Sequence, residues 1–249
     1  MLKVINNFLF LIDNAKKILG FTGAGISTES GISDYRSQGG LWQRFQPVYF
    51  NEFLQNEEKR RLYWERKNFM YSQLKNARPN AGHLFFKWLE EKGKLLAIIT
   101  QNIDGLHQKA GIESEKIIEL HGTALEIRCL SCQRIIPTDR IVYKPNEKSP
   151  RCVICHGLLK PNTISFGQSL DPEILSKAEN IIKYCDLMII VGSTLVVQPA
   201  ASYPIQALKN GAKLVIINLS ETTLDKSATL VIKQKCGDFL NIVMESANK

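Results

Sequence analysis

Hydrophobic positions in this chain fall into short unbroken runs rather than alternating ones. Ile18–Thr22, Leu95–Thr100, Leu187–Val191 and residues 213–218 each read as a strand with apolar side chains on both faces. That is the pattern of parallel strands covered by helices on two sides. Helix-period stretches lie between them, over residues 82–92, 171–184 and 199–210. Strands alternating with helices predict an α/β fold with a doubly wound parallel sheet. Residues 1–12 predict an amphipathic helix feeding the first strand. One basic residue, an apolar run broken by Asn6 and Asn7, and no small-residue cleavage site argue against a signal peptide.

The four strands end in Gly23-Ala-Gly25, Gln101-Asn-Ile-Asp104, Gly192-Ser-Thr194 and Asn218-Leu-Ser220. Ligands bind doubly wound sheets at the carboxyl ends of the strands, so this polar punctuation is the first functional signal. Two stretches break the alternation: residues 37–80, mostly helical and Gln- and aromatic-rich, and residues 126–161, which hold four cysteines.

Length and composition add bounds. The chain has 249 residues, 44% apolar and 22% charged, which excludes a disordered or collagen-like chain and allows one or two domains. No apolar run approaches the ~20 residues of a membrane span. The net charge of +8 is carried by residues 57–78 and 126–161, at +4 each. A basic patch attracts nucleic acid or acidic protein. However, residues 126–161 lack the aromatic interleaving of a base-stacking surface, so two solvated surfaces are expected and nucleic acid is not expected as a partner.

The cysteines are more specific. Cys129-x-x-Cys132 and Cys152-x-x-Cys155 are separated by 19 residues, the spacing of a tetrahedral zinc site with four thiolates and no open position. Disulfides would need an export signal. The run Cys152-Val-Ile-Cys155-His156 also matches a haem-attachment pattern, but the partner CxxC favours zinc and leaves His156 a bystander. Cys185 is expected in the core.

Gly23-Ala-Gly25, between a strand and Ile26-Ser-Thr28, lets backbone N–H groups approach a phosphate. Thr28 replaces the third glycine of a dehydrogenase fingerprint, and no acidic residue stands ~20 positions on to grip a ribose. A nucleotide would therefore bind differently from one in a dehydrogenase; the alternative is a plain strand-to-helix turn. Among four histidines, His121 in Glu119-Leu-His-Gly122 lies in a short strand-like stretch beside the metal module, where a general base is chemically plausible.

In order along the chain stand Gly23-Ala-Gly-Ile-Ser27, Gly31-Ile-Ser-Asp-Tyr-Arg36, Thr100-Gln-Asn-Ile-Asp104, Glu119-Leu-His-Gly122, the two CxxC pairs, Phe166-Gly167, Gly192-Ser-Thr194 and Asn218-Leu-Ser220. With these motifs the chain resembles the sirtuins, NAD-dependent protein-lysine deacylases, from about residue 18 to Gly237. The resemblance implies a Rossmann-like domain from residues 1–36, 81–125 and 162–249, and a small domain of helical insertion and zinc ribbon from residues 37–80 and 126–161. It implies NAD and one structural zinc ion, held by Cys129, Cys132, Cys152 and Cys155.

The resemblance also implies roles. Gly23, Ala24 and Gly25 would cradle the pyrophosphate, with Asp34 and Arg36 near it and Tyr35 over the nicotinamide ribose. Gln101, Asn102, Ile103 and Asp104 would surround the nicotinamide and its ribose, with Asp104 accepting from the carboxamide. Gly192, Ser193, Thr194, Asn218, Leu219, Ser220 and Cys236 would contact the other ribose and the adenine. His121, Asn102 and Asp104 form the implied catalytic set: the acyl oxygen attacks ribose C1′, nicotinamide leaves, and His121 acts as base through the ribose hydroxyls. The acyl-lysine peptide would add as a strand between residues 166–168 and 195–199, with Ile103, Phe166, Gly167 and Val196 around the lysine stem.

In some sirtuins a Tyr-x-x-Arg pair on one helix face reads acidic acyl groups such as succinyl or malonyl, but Tyr63-Trp-Glu-Arg66 looks more like the mitochondrial-type class, which keeps Tyr-Trp-x-Arg and has a broader acyl preference. Plain acetyl and longer chains stay open, as does mono-ADP-ribosyl transfer at the same NAD site. Ser33 and Gln168 stand where the family usually has proline and an acid, and neither change removes a catalytic group. A cytoplasmic monomer is expected, acting on acyl-lysine proteins or peptides, away from membranes.

Overall fold

A computed structural model describes residues 1–247. Among these, nine strands form two sheets: β1 (Ile18–Thr22), β2 (Leu95–Thr100), β3 (Ile117–Glu119), β4 (Gly122–Cys129), β5 (Ile135–Pro137), β6 (Leu159–Thr163), β7 (Leu187–Val191), β8 (Lys213–Ile217) and β9 (Leu230–Ile232). The larger sheet has the order β3-β2-β1-β7-β8-β9, and every pairing in it is parallel. Strand order reverses between β1 and β7, which makes the gap above their carboxyl ends the place where a ligand fits.

The helices are α1 (Leu2–Asn14), α2 (Leu41–Arg44), α3 (Phe50–Gln55), α4 (Glu57–Asn76), α5 (Ala81–Glu91), α6 (Leu106–Lys109), α7 (Pro172–Ile182), α8 (Ser202–Lys209) and α9 (Cys236–Ala247). Successive strand residues face opposite sides. Ile18, Ile98, Ile189 and Val215 pack under Phe8 of α1, Phe85 of α5 and Phe239 of α9. Leu19, Ile99, Ile190 and Ile216 pack under Ile182 of α7 and Tyr203 of α8. Both faces are covered, as the continuous apolar strands require.

The smaller sheet is antiparallel in the order β5-β4-β6. It shares a third core with the helical insertion, in which Phe53, Tyr63 and Trp64 meet Ile127, Tyr143 and Leu159. Helix α4 starts where the Asn56 side chain accepts from the N–H groups of Glu58 and Lys59 at 2.8 and 3.2 Å, an N-cap. Arg60 is buried and donates to the carbonyls of Phe53 and Leu54, to Glu57 and to Ser149. It thereby ties the insertion to the ribbon.

The structure corrects the reading of residues 57–78 and 126–161 as merely solvated surfaces. Arg60, Lys67 and Lys160 are buried. A charge run shows which residues are basic, not which lie on the inward stripe of a helix. Among the elements that escaped the periodicity reading are β3, β9 and α9. The edge strands β3 and β9 have three residues each, too short for a pattern. Helix α9 offers Phe239, Leu240 and Val243 to the core, but follows its strand after a short connection. Helix α8 begins at Ser202 rather than at residue 199, after a turn over residues 198–201.

Candidate active site

A cavity of about 580 Å³ opens at the carboxyl ends of β1, β2, β7 and β8 and runs between the two sheets. Its first wall is the glycine turn after β1. Gly23 N–H donates to Val191 O and Gly25 N–H to Gly192 O, at 3.0 and 2.9 Å. The backbones touch so closely that a Cβ on Gly25 would stand 2.8 Å from Gly192 Cα. Gly192 itself has φ +66°, a conformation that favours glycine. The turn continues into a 3-10 segment over Ala24–Ser30. Its backbone at Gly23, Ala24 and Gly25 lines the cavity as a shallow cradle.

Around the cradle, the structure brings together Ala24, Asp34, Tyr35, Arg36, Gln101, Asn102, Ile103, Ser193, Thr194, Asn218, Leu219, Ser220 and Cys236 on the cavity wall. The Asp34 side chain accepts from Arg36 N–H and Ser37 N–H at 2.9 and 2.8 Å, which fixes the turn that presents Arg36. The Tyr35 ring packs at a tilt against Trp42 at 5.1 Å, and burial pushes its phenol up to about 12. Gln101 donates to Ser193 Oγ at 2.9 Å, linking the ends of β2 and β7.

Asn102 is buried with a defined orientation. Its Nδ2 donates to Gly23 O and Ser27 Oγ at 3.2 and 3.1 Å, leaving Oδ1 as an acceptor for the cavity. Asp104 does not line the cavity. Its carboxylate accepts from Ser27 Oγ at 2.7 Å and Leu106 N–H at 2.9 Å, and burial raises its pKa. Asp104 therefore stands behind Ser27 and Asn102.

His121, between β3 and β4, lines the cavity. Its Nδ1 lies 3.0 Å from the Gln101 carbonyl. A carbonyl only accepts, so Nδ1 carries the proton and Nε2 is left as the basic atom of the neutral ring. Burial lowers the His121 pKa, and the Gln101 carbonyl partly offsets this.

The second wall comes from α4, β6 and residues 164–168. Phe166, Gly167 and Val196 line the cavity, and the Phe166 ring packs on Trp42 and Tyr49, each at 5.9 Å. Tyr63 and Arg66 line it as well. Tyr63 Oη lies 3.1 Å from both Thr163 Oγ1 and Ser165 Oγ. The Arg66 guanidinium sits over the Tyr63 ring at 4.7 Å and the Trp42 ring at 5.4 Å, and no acidic side chain of the described residues pairs with it. Burial raises the Tyr63 pKa, but Lys160, Arg66 and the two hydroxyl contacts outweigh it and bring the phenol to about 8.

Several participants went unread in the sequence. Glu29 accepts from Gly237 N–H at 2.7 Å and meets the Cys236 thiol at 3.4 Å, holding the start of α9 against the glycine turn. Burial, with the Glu29 charge, drives that thiol up to about 12, so Cys236 serves as a wall rather than as a nucleophile. Ser27, His83 and His107 form a buried polar cluster behind Asn102, with His107 Nε2 at 3.0 Å from Thr22 Oγ1. Lys160 is 1% exposed, beneath Tyr63.

The four cysteines meet away from the cavity. All their Sγ atoms lie within 4.8 Å of one another, with Cys129–Cys155 at 3.4 Å and Cys132–Cys152 at 3.8 Å. Those distances are far beyond the ~2.05 Å of a disulfide. They match the ~3.8 Å edges of a tetrahedron with ~2.3 Å zinc–sulfur bonds. Gln133 and His156, the residues after each pair, have φ of 61° and 57°, so the two knuckles turn alike. The set fits zinc, and His156 stays outside it.

Comparison with known proteins agrees with this geometry. A profile described as the Sir2 family matches residues 23–199. The NAD-dependent protein deacetylase of Rhodopseudomonas palustris is 44% identical over 232 residues, covering 92% of each chain. A solved structure of Sir2 with a deacetylated p53 peptide and 3′-O-acetyl ADP ribose superposes with a TM-score of 0.90 at 36% identity, covering 97% of this chain and 98% of that one. A second, of Sir2 with a p53 peptide and NAD+, gives 0.88 at 36% identity and 98% of both.

Proposed function

The chain belongs to the Sir2 family, and we infer from that membership and from the cavity that it is an NAD-dependent protein-lysine deacylase. It removes acyl groups from protein lysines and releases nicotinamide and O-acyl-ADP-ribose. The observation that carries this reading is His121, whose basic nitrogen is left free on a cavity that also holds a glycine cradle.

NAD supplies the glycosidic bond at C1′ whose cleavage drives acyl removal. In our reading the turn of Gly23, Ala24 and Gly25 lets the pyrophosphate come close to the backbone, with the Gly23 and Gly25 N–H groups holding the turn itself against Val191 and Gly192, and Arg36 adds charge. Ser193, Thr194, Asn218, Leu219, Ser220 and Cys236 form the adenosine side, and Gly192 gives the cradle room. Asn102 Oδ1 accepts from a ribose hydroxyl or a water. Tyr35 and Ile103 shield C1′ from solvent, which strengthens fixed dipoles there. Asp104 acts from behind, holding Ser27 and Asn102 at the nicotinamide end. His121 Nε2 would act as base toward a ribose hydroxyl after the acyl oxygen–C1′ bond has formed and nicotinamide has departed with the glycosidic electron pair; that hydroxyl oxygen would then bond the acyl carbon, and addition of water would free the lysine amine.

The peptide lies between residues 166–168 and 195–199, its lysine stem passing Phe166, Gly167 and Val196. We assign residues 1–36, 81–125 and 162–249 to a NAD-binding domain, and residues 37–80 and 126–161 to a small domain. Thiolates at metal-ligand distance suit a reducing compartment, in keeping with a cytoplasmic protein. No helix of the described residues is long and apolar enough to cross a membrane.

We further place the chain with the Tyr-Trp-x-Arg class and take its acyl preference as acidic. Arg66 offers an unpaired guanidinium suited to a carboxylate, beside Tyr63 on the same helix face, whose hydroxyl is held by Thr163 and Ser165. Arg66→Met is expected to lower the ratio of kcat/KM for succinyl- over butanoyl-lysine peptide by about tenfold or more, read by mass spectrometry of free lysine peptide. An unchanged ratio would return Tyr63 and Arg66 to a packing role. Gly25→Ala forces the Gly192 backbone away and is expected to weaken NAD binding at least tenfold by calorimetry. ADP-ribosylated protein appearing without O-acyl-ADP-ribose would overturn the deacylase assignment in favour of ADP-ribosyl transfer.

A further inference from the structure

The cavity does not stop at Arg66. Tyr63, Arg66, Lys67, Met70 and Tyr71 all line it. Their spacing of three and four residues makes one stripe down α4. At ~5.4 Å per turn, the wall continues a full turn past the Tyr63–Arg66 pair. Lys67 stands at the start of that second turn.

Lys67 is 8% exposed, and no carboxylate or carbonyl of the described residues accepts from it. Its ammonium rests over the rings of Trp64 and Tyr71, at 5.4 and 5.1 Å. The acidic residues on the cavity wall are Glu29 and Asp34. Both are engaged by backbone donors on the glycine-turn side, Glu29 by Gly237 and Asp34 by Arg36 and Ser37. Burial disfavours the charged form of Lys67 and lowers its pKa. A buried cation without a counter-ion is costly unless an anion arrives to pair with it.

We propose that Lys67 is a second anion-binding residue at the far end of the acyl pocket, matched to dicarboxyl acyl groups longer than succinyl, such as glutaryl. The inference rests on the reading that Tyr63 and Arg66 face the acyl group. In a longer dicarboxyl group the methylenes lie along Met70 and the aromatic rings, and the terminal carboxylate reaches past Arg66 to the ammonium. The pocket is thus apolar along its length with convergent charge at its end.

The test is a series of succinyl-, glutaryl- and adipyl-lysine peptides, with butanoyl-, pentanoyl- and hexanoyl-lysine peptides as neutral counterparts, measured as kcat/KM with NAD. Unsubstituted protein is expected to favour glutaryl over pentanoyl, and by a larger factor than succinyl over butanoyl. Lys67→Met should lower the glutaryl-to-pentanoyl ratio about tenfold, chiefly through KM, while Lys67→Arg should restore most of it. Equal losses on glutaryl and pentanoyl in Lys67→Met, or a glutaryl preference that survives it, would overturn the assignment. Dicarboxyl turnover that depends on Arg66 but not on Lys67 would remove this inference alone. No turnover of any dicarboxyl peptide would remove both it and the acidic-acyl reading.

Discussion

Replacing His121 with alanine is expected to lower kcat by about 10²–10⁴-fold, the range associated with losing a general base. The loss should fall on turnover rather than on NAD binding, because the cradle is built from Gly23, Gly25 and Gly192 and does not include the imidazole. The mechanism needs the neutral ring. Nδ1 is committed to the Gln101 carbonyl, so protonation of Nε2 removes the only basic site. Burial lowers the pKa of His121, and the carbonyl offsets only part of that. The base therefore stays deprotonated to lower pH than an ordinary histidine at ~6.5. The acid limb of kcat/KM should lie below that value, with full activity at pH 7, and the limb should vanish in His121→Ala. Steady-state rates from pH 5 to 9 decide the matter. An acid limb above pH 7, or a variant that keeps its rate, would remove His121 from the role of base.

That site was half legible in the sequence, for a physical reason. In a doubly wound sheet the functional side chains follow strand ends, and strand ends can be found from apolar runs. Gly23, Asn102, Ser193 and Asn218 were located that way. What could not be read was pairing across distant segments. Glu29 holds the start of α9 more than 200 residues later in the chain. The cluster of Ser27, His83 and His107 forms only when the glycine turn, α5 and α6 pack together. Asp104 belongs to a strand-end motif, yet its neighbours turn it away from the cavity, and motif spacing carries no information on that. Lys67 and Lys160 were submerged in basic runs whose sum suggested only solvent. The sheet itself was readable where strands have five or six residues and opaque where β3 and β9 have three.

The cavity wall built from α4 and the metal module share one core, and this makes zinc the other lever of large effect. Cys129 and Cys152 are buried in the cluster that contains Phe53, Tyr63 and Trp64, and the side chains of Glu57 and Arg60 on α4 bond to Ser149, which precedes the second knuckle. Removing the metal leaves four thiols crowded within 4.8 Å of one another, with nothing to hold the knuckles closed. Binding of a structural zinc ion contributes about 10–16 kcal/mol in small domains at neutral pH, more than the net stability of most folds. Chelation, or Cys152→Ala, should therefore unravel β4–β6 and loosen α4. Tyr63, Arg66 and the 164–168 segment lose their support with it. Deacylation is expected to fall at least 100-fold, while the larger sheet, whose cores lie on its own two faces, stays folded. Metal analysis should find one zinc per chain, and circular dichroism should show partial rather than complete loss of helix. Four sulfur ligands leave no position for substrate, so cobalt substituted for zinc should support the same kcat. A kcat that changes with the metal would put the ion in the chemistry, and a metal-free protein with undiminished activity would show that the knuckles do not hold that cavity wall.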